Sequence, residues 1–100
     1  MSGGEKEESE EPKAVDLAAL ELDQLLGLFV GLLAAKAWQY MGVRLTPGKE
    51  EAEKDMEKAA AAIDSVAYLA EKVAPSLPAA EAVRLRAMVT DLQINYAKKA

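Results

Sequence analysis

The side chains with the greatest catalytic potential in this 100-residue chain are carboxylates, because the sequence contains neither cysteine nor histidine. Carboxylates in helical bundles can hold a pair of iron ions, but those sites also use histidine in Glu-x-x-His pairs. Glu57, Asp64 and Glu71 recur at two-turn intervals along one flank of a predicted helix, beside Lys58 and Lys72. Such a mixture of charges is typical of a solvated helix face. We therefore expect no metal site.

The missing residue types exclude most other catalytic centres as well. Cys–His and Ser–His nucleophilic pairs cannot form, and zinc would find neither imidazole nor thiolate. A phosphate-binding loop is not indicated either, since Gly27-x-x-x-Gly31 lies in a predicted helix and lacks the required lysine. A carboxylate or tyrosine site of unrecognised type is the remaining enzymatic alternative. We predict no catalytic residue, no cofactor and no enzymatic activity.

The composition indicates one domain with a thin core and no affinity for nucleic acid. Apolar residues make up 51% of the chain, but alanine is the commonest of them and only 5% of all residues are aromatic. Alanine buries little area, so such a core needs closely packed helices or a second chain to complete it. The net charge is -5, and the Lys and Arg residues form no basic cluster of the kind that binds phosphate.

The N-terminal segment differs from the rest of the chain. Residues 1–13 contain five glutamates, two glycines and a proline, and no large apolar residue after Met1. This composition predicts a disordered acidic tail, which either keeps the chain soluble or attracts a basic partner. Because a secretory signal begins with basic residues, we expect a cytoplasmic protein. Residues 14–100 are predicted to form a single helical domain.

Hydrophobic periodicity predicts an all-α fold of three helices. The first helix is expected over residues 16–41, ending before Gly42, and the second over residues 49–74, where glutamates suit the N-terminus. The third is expected over residues 79–98, after a short turn that contains two prolines.

Helices two and three are predicted to pair as an antiparallel hairpin. Their apolar residues step alternately by three and four positions, which is the spacing of a heptad seam. These residues are Met56, Ala59, Ile63, Val66, Ala70 and Val73 in helix two, and Ala82, Leu85, Val89, Leu92 and Tyr96 in helix three. We expect Asp64 to pair with Arg84 or Arg86 across the hairpin. The apolar first helix is expected to pack over this seam.

The first helix is apolar on nearly every side, unlike an ordinary surface helix. Residues 25–35 contain no polar side chain, so we expect burial on two sides, against the hairpin and against another chain. Gly27 and Gly31 lie on one stripe, where small residues permit close approach of a second helix. The alternative is that they make room for Tyr68 or Trp38 of the same subunit. The predicted interaction residues are Gly27, Leu28, Phe29, Gly31, Leu32, Ala35 and Trp38.

These features predict a non-enzymatic helical interaction protein, either a homodimer or a small accessory subunit of a larger complex, that associates through its first helix. The alternative is a membrane-peripheral factor that inserts this helix at the bilayer interface. Interfacial helices usually carry a polar face rich in Lys and Arg, which this one lacks. A membrane-spanning helix needs about 20 apolar residues, and the run between Gln24 and Lys36 is shorter.

Several residues in the second half of the chain have the spacing of a known family. They are Asp55-x-x-x-Ala59-x-x-x-Ile63-Asp64, Leu69-x-x-Lys72, Leu85 and Asp91-Leu92-x-x-x-Tyr96. A weaker match extends from Trp38-Gln39-Tyr40-Met41-Gly42 to Pro47-Gly48. Over residues 22–96 the chain resembles the bacterial domain of unknown function 1844 family, from which it differs in its alanine run at 59–62 and in Pro75 and Pro78. The resemblance implies a compact helical protein of bacterial origin and implies no activity.

Overall fold

The computed structural model describes residues 14–45, 48, 50 and 54–100. Within them the chain forms four α-helices and no strand, and 81% of these residues are helical. The helices are α1 (Ala14–Ala18), α2 (Leu22–Tyr40), α3 (Met56–Val73) and α4 (Ala79–Lys99), with a 3₁₀ turn at Ala74–Ser76. The predicted all-α class is confirmed. The acidic tail predicted for residues 1–13 lies outside the described residues.

The first predicted helix is interrupted, so the single helix expected over residues 16–41 is wrong. α1 closes with two backbone hydrogen bonds between residues three positions apart. α2 then begins anew after Glu21, which is extended and donates its backbone N–H to the side-chain carbonyl of Gln24 at 2.9 Å. A glutamine three positions after the N-cap is typical of a capping box and favours a helix start at this point.

α2 ends, as predicted, before a glycine. Gly42 has a φ of +82°, a conformation that residues with a side chain rarely adopt. Its N–H donates to the carbonyl of Gln39, and the N–H of Val43 donates to the carbonyl of Trp38. These two hydrogen bonds form a Schellman motif, which satisfies carbonyls of the last turn and directs the chain away from the helix axis.

α3 begins at Met56, so the start predicted at residue 49 is wrong. The carboxylate of Asp55 caps the helix by accepting a hydrogen bond from the N–H of Lys58 at 3.1 Å. Asp55 also donates its own N–H to the carbonyl of Tyr40 at 2.8 Å, next to an isolated antiparallel bridge between the two segments. The side-chain cap thus sets the helix start, and α3 returns antiparallel to α2.

α3 is the central helix, because it packs against both α2 and α4 whereas these two hardly touch each other. The predicted seam residues of α3 after Met56 are all buried, and Ala59 and Val66 are fully enclosed. In α4, Leu92 is fully buried. Half-buried side chains complete this side of the core: Leu85, Val89 and Tyr96. The hairpin is confirmed, and α2 packs on it, mainly against α3.

An exposed ion pair joins α3 to α4. Arg86 donates two hydrogen bonds to Glu71, from Nε to Oε2 at 3.0 Å and from Nη2 to Oε1 at 3.1 Å. These hydrogen bonds, together with the attraction between the two charges, lower the pKa of the Glu71 carboxyl below its ordinary value. The expected pairing of Asp64 with this arginine is wrong, because Asp64 lies two turns farther from the α3–α4 connection in an antiparallel hairpin.

Candidate interaction surface

α2 is divided lengthwise into a buried side and an outward side. The buried apolar residues follow one another at steps of three or four positions and lie within the core: Val30, Ala34 and Ala37 of α2 and Met41, its C-cap. This spacing places them on one face of the helix. The face they form is the one that packs against α3.

The outward side of α2 exposes large apolar side chains. Leu28, Phe29 and Leu32 are 36%, 42% and 57% exposed, and Leu22 in the first turn is 71% exposed. Leu25, Leu28 and Leu32 are spaced by three and four positions and form what we call the outward stripe, with Phe29 on its flank. Isolated exposed leucines are ordinary in soluble proteins, but adjacent ones on a single helix face are typical of an interaction surface.

Gly27 and Gly31 lie beside the outward stripe. A Cβ atom built on either glycine would meet no heavy atom within 4 Å. The alternative that they make room for Tyr68 or Trp38 of the same subunit is therefore wrong. A glycine inside a helix costs about 0.5–1 kcal/mol relative to alanine, and no packing contact in the described chain calls for one at these two positions.

The other two predicted interaction residues are less exposed. Trp38 is half-buried and packs against the hydrophobic core, so it contributes to the fold of its own chain. Ala35 is half-buried and lies four positions after Gly31 on the same side of α2. The structure therefore exposes five of the predicted residues: Gly27, Leu28, Phe29, Gly31 and Leu32. Around the helix, the two glycines lie on one flank of the outward stripe and Phe29 lies on the opposite flank.

A groove between α2 and α3 borders this surface, and the sequence analysis did not find it. One part encloses about 440 Å³ and is lined by Leu33, Asp64, Ser65, Tyr68 and Leu69. A second part, of about 340 Å³, includes Lys36 and Lys58, whose ammonium groups each lie 5.7 Å from the ring centre of Tyr40. Both lysines are thus placed for cation–π contacts with one ring. The spacing of four between Lys36 and Tyr40 is the sequence signal for this contact.

Apolar contact area dominates the surface formed by α2 and the groove. Its charged members, Lys36, Lys58 and Asp64, are exposed to solvent. In the described part of the chain, no three His, Cys, Asp or Glu residues come close enough together to hold a metal ion. Among the described helices, none combines the length and apolarity needed to cross a membrane.

Comparison with known proteins places the chain in a family. The profile of the domain of unknown function DUF1844 matches residues 23–98, which include nearly all of α2, α3 and α4. No curated protein and no solved structure matches the chain. The resemblance predicted for residues 22–96 is confirmed over almost the same range. The chain therefore belongs to the DUF1844 family.

Proposed function

We propose that this chain is a non-enzymatic helical interaction protein of the bacterial cytoplasm, acting as a homodimer or as a small accessory subunit of a larger complex. The outward side of α2 is the contact. The observation that carries this proposal is the exposure of Leu28, Phe29 and Leu32 on adjoining turns of one helix. An isolated chain leaves all three side chains in contact with water, and a partner helix would cover them.

Covering these side chains supplies a substantial driving force. Apolar surface removed from water contributes about 25 cal/mol per Å², and a fully buried leucine or phenylalanine contributes about 1.5–3 kcal/mol. Gly27 and Gly31 leave open space on the flank of the stripe opposite Phe29, because no side chain projects at these positions. The gain from three large side chains exceeds the helix-propensity penalty of the two glycines, which is about 1–2 kcal/mol in total.

The groove extends the available surface onto α3. Leu33 of α2 and Tyr68 and Leu69 of α3 line its first part, and Tyr68 is 64% exposed. A partner helix placed along α2 can contact these residues as well as the outward stripe. Amphipathic helices commonly bind in apolar grooves of this kind.

Lipid is the alternative occupant of the outward side. Helices that lie in a bilayer interface carry Lys and Arg along their polar face, which attract anionic headgroups. α2 contains one basic residue, Lys36, and one acidic residue, Asp23. This balance favours a protein partner over a membrane surface.

The substitution Leu32→Glu tests the proposal, because it places a charge on the outward stripe and leaves the core intact. Light scattering on the full chain across the micromolar range measures association. For the homodimer, we expect a dimeric wild type and a monomeric Leu32→Glu variant. Val83→Glu is the matched control, since Val83 is 65% exposed on α4, and we expect this variant to associate as the wild type does.

Three outcomes separate the alternatives. If the wild type is dimeric and Leu32→Glu associates as strongly as Val83→Glu, α2 is not the contact. A monomeric wild type would eliminate the homodimer and leave the accessory subunit, for which the same two variants are compared in binding to the host complex. Flotation of the wild type with lipid vesicles, lost in Leu32→Glu, would favour the membrane alternative.

A further inference from the structure

The outward stripe has opposite charges at its two ends. Lys36 follows Leu32 by four positions and so lies in line with the stripe, and Glu21, the extended N-cap of α2, lies at its N-terminal end. Both residues are exposed. Residues 24–35 between them contain no charged side chain. The surface is therefore apolar in the middle, acidic at the N-terminal end of α2 and basic toward its C-terminal end.

This polarity selects one orientation for two copies of α2. In a parallel pair, Glu21 would face Glu21 of the second copy and Lys36 would face Lys36, and both contacts are repulsive. In an antiparallel pair, each Glu21 faces a Lys36, and the two helix dipoles also oppose each other. Charge pairs at the ends of an apolar helix seam set partner choice and orientation in this way in coiled coils.

We propose that two copies of this chain associate as an antiparallel, two-fold symmetric pair of α2 helices, an inference that rests on the proposed function of α2 as the contact. The two-fold axis passes between Leu28 and Phe29. That position is midway between Glu21 and Lys36, and midway between Leu25 and Leu32. Each apolar residue of the stripe therefore meets another apolar residue while the charges meet their opposites.

Charge reversal distinguishes the antiparallel pair from a parallel one. In the antiparallel dimer, Glu21→Lys and Lys36→Glu each create two like-charge contacts and weaken dimerisation about tenfold. The double variant Glu21→Lys/Lys36→Glu restores two attractive contacts and dimerises within about threefold of the wild type. Sedimentation equilibrium at low salt measures these constants, and high salt reduces the differences.

A control variant separates charge pairing from helix stability. The Glu21→Lys substitution also destabilises the first turn of α2, because a cation is unfavourable near a helix N-terminus. Asp23→Lys places the same charge in the same turn, but Asp23 precedes the buried Val30 by seven positions and so lies away from the outward stripe. We expect Asp23→Lys to dimerise as the wild type does, with circular dichroism verifying that all variants are folded.

Two results would overturn the inference. In one, Leu32→Glu dissociates the wild-type dimer, but neither Glu21→Lys nor Lys36→Glu changes the dimer affinity. This result would retain α2 as the contact and reject the antiparallel orientation. The other is a monomeric wild type, which would reject the second copy as the occupant. A wild-type dimer unaffected by Leu32→Glu would instead reject the proposed function itself.

Discussion

The α3–α4 hairpin and the helix α2 differ in the side that faces away from the core. α3 directs charged residues such as Glu57 and Glu71 outward beside the exposed Tyr68, and the exposed apolar residues of α4, Val83 and Ile94, are three turns apart. α2 instead exposes an unbroken apolar surface on adjoining turns. Packing within the described chain explains why the inner sides of α2, α3 and α4 are apolar. It does not explain why the outer side of α2 is apolar. The difference separates residues that specify the fold from residues available for association.

The largest effect in this comparison is expected at the centre of the hairpin. Leu92→Ala removes a fully buried side chain and should lower the free energy of unfolding by about 2–5 kcal/mol, through lost burial and the cavity left behind. Leu85→Ala, at a half-buried position, should lower it by about 1 kcal/mol. Urea denaturation measures both values. If Gln93→Ala, at an exposed position, lowered the free energy of unfolding as much as Leu92→Ala, the assigned packing would be contradicted.

The second prediction concerns association through α2. Gly31→Leu places a bulky side chain on the flank of the outward stripe, one turn from Leu28, and should weaken the dimer. The fold of each monomer should persist, because a Cβ at Gly31 meets no atom within 4 Å. Light scattering combined with circular dichroism checks both parts. A folded variant that dimerises as strongly as the wild type would show that this flank is not part of the contact.

The third prediction contrasts two kinds of glycine. Gly42→Ala should destabilise the chain by about 1–2 kcal/mol, because a φ of +82° is strained for any residue with a side chain. Gly27→Ala should stabilise the isolated chain by about 0.5–1 kcal/mol, since alanine favours the helix and open space surrounds the position. Thermal unfolding at concentrations where the chain is monomeric measures both. Changes of the same sign would refute the contrast.

The smallest effect is expected at the exposed ion pair. The hydrogen bonds from Arg86 lower the pKa of Glu71 in the folded state, so the pair stabilises the fold above the ordinary glutamate pKa and loses this contribution as the pH falls through the lowered value. Arg86→Gln should raise the pKa of Glu71 toward its ordinary value. An NMR titration of the Glu71 carboxyl tests this, and an unchanged pKa would disprove the contact in solution.

Features that repeat with the helical period could be predicted from the sequence. Where two local signals favoured different starts for a helix, the sequence did not show which signal decides. Heptad spacing identified Ala59, Val66 and Leu92 as core residues because packing of amphipathic helices follows that period. The start of α3 was misplaced because glutamates at a helix N-terminus contribute about 0.3–1 kcal/mol. Such charges do not fix one residue as the helix start, whereas the carboxylate of Asp55 does so by accepting a hydrogen bond from the N–H of Lys58.

The exposed apolar surface of α2 and its border with α3 could be predicted in part. The apolar residues of α2 could be predicted because a run without polar side chains can be recognised in the sequence without knowing which helices lie beside it. The groove was not visible, because it depends on α2 lying beside α3, which brings Leu33 next to Tyr68. The sequence analysis includes Trp38 among the predicted interaction residues, and only the packed structure shows that it contacts the core.

Cysteine cross-linking tests the central claim, that the chain associates through the outward side of α2, most directly. The chain contains no cysteine, so a single introduced thiol reports one location. The account predicts that Leu28→Cys, beside the proposed two-fold axis, forms a disulfide-linked dimer rapidly under mild oxidation at micromolar concentration. Val83→Cys, on the exposed face of α4, should form little disulfide-linked dimer. Equal cross-linking of the two variants, or none at Leu28 with a dimeric wild type, would contradict the claim.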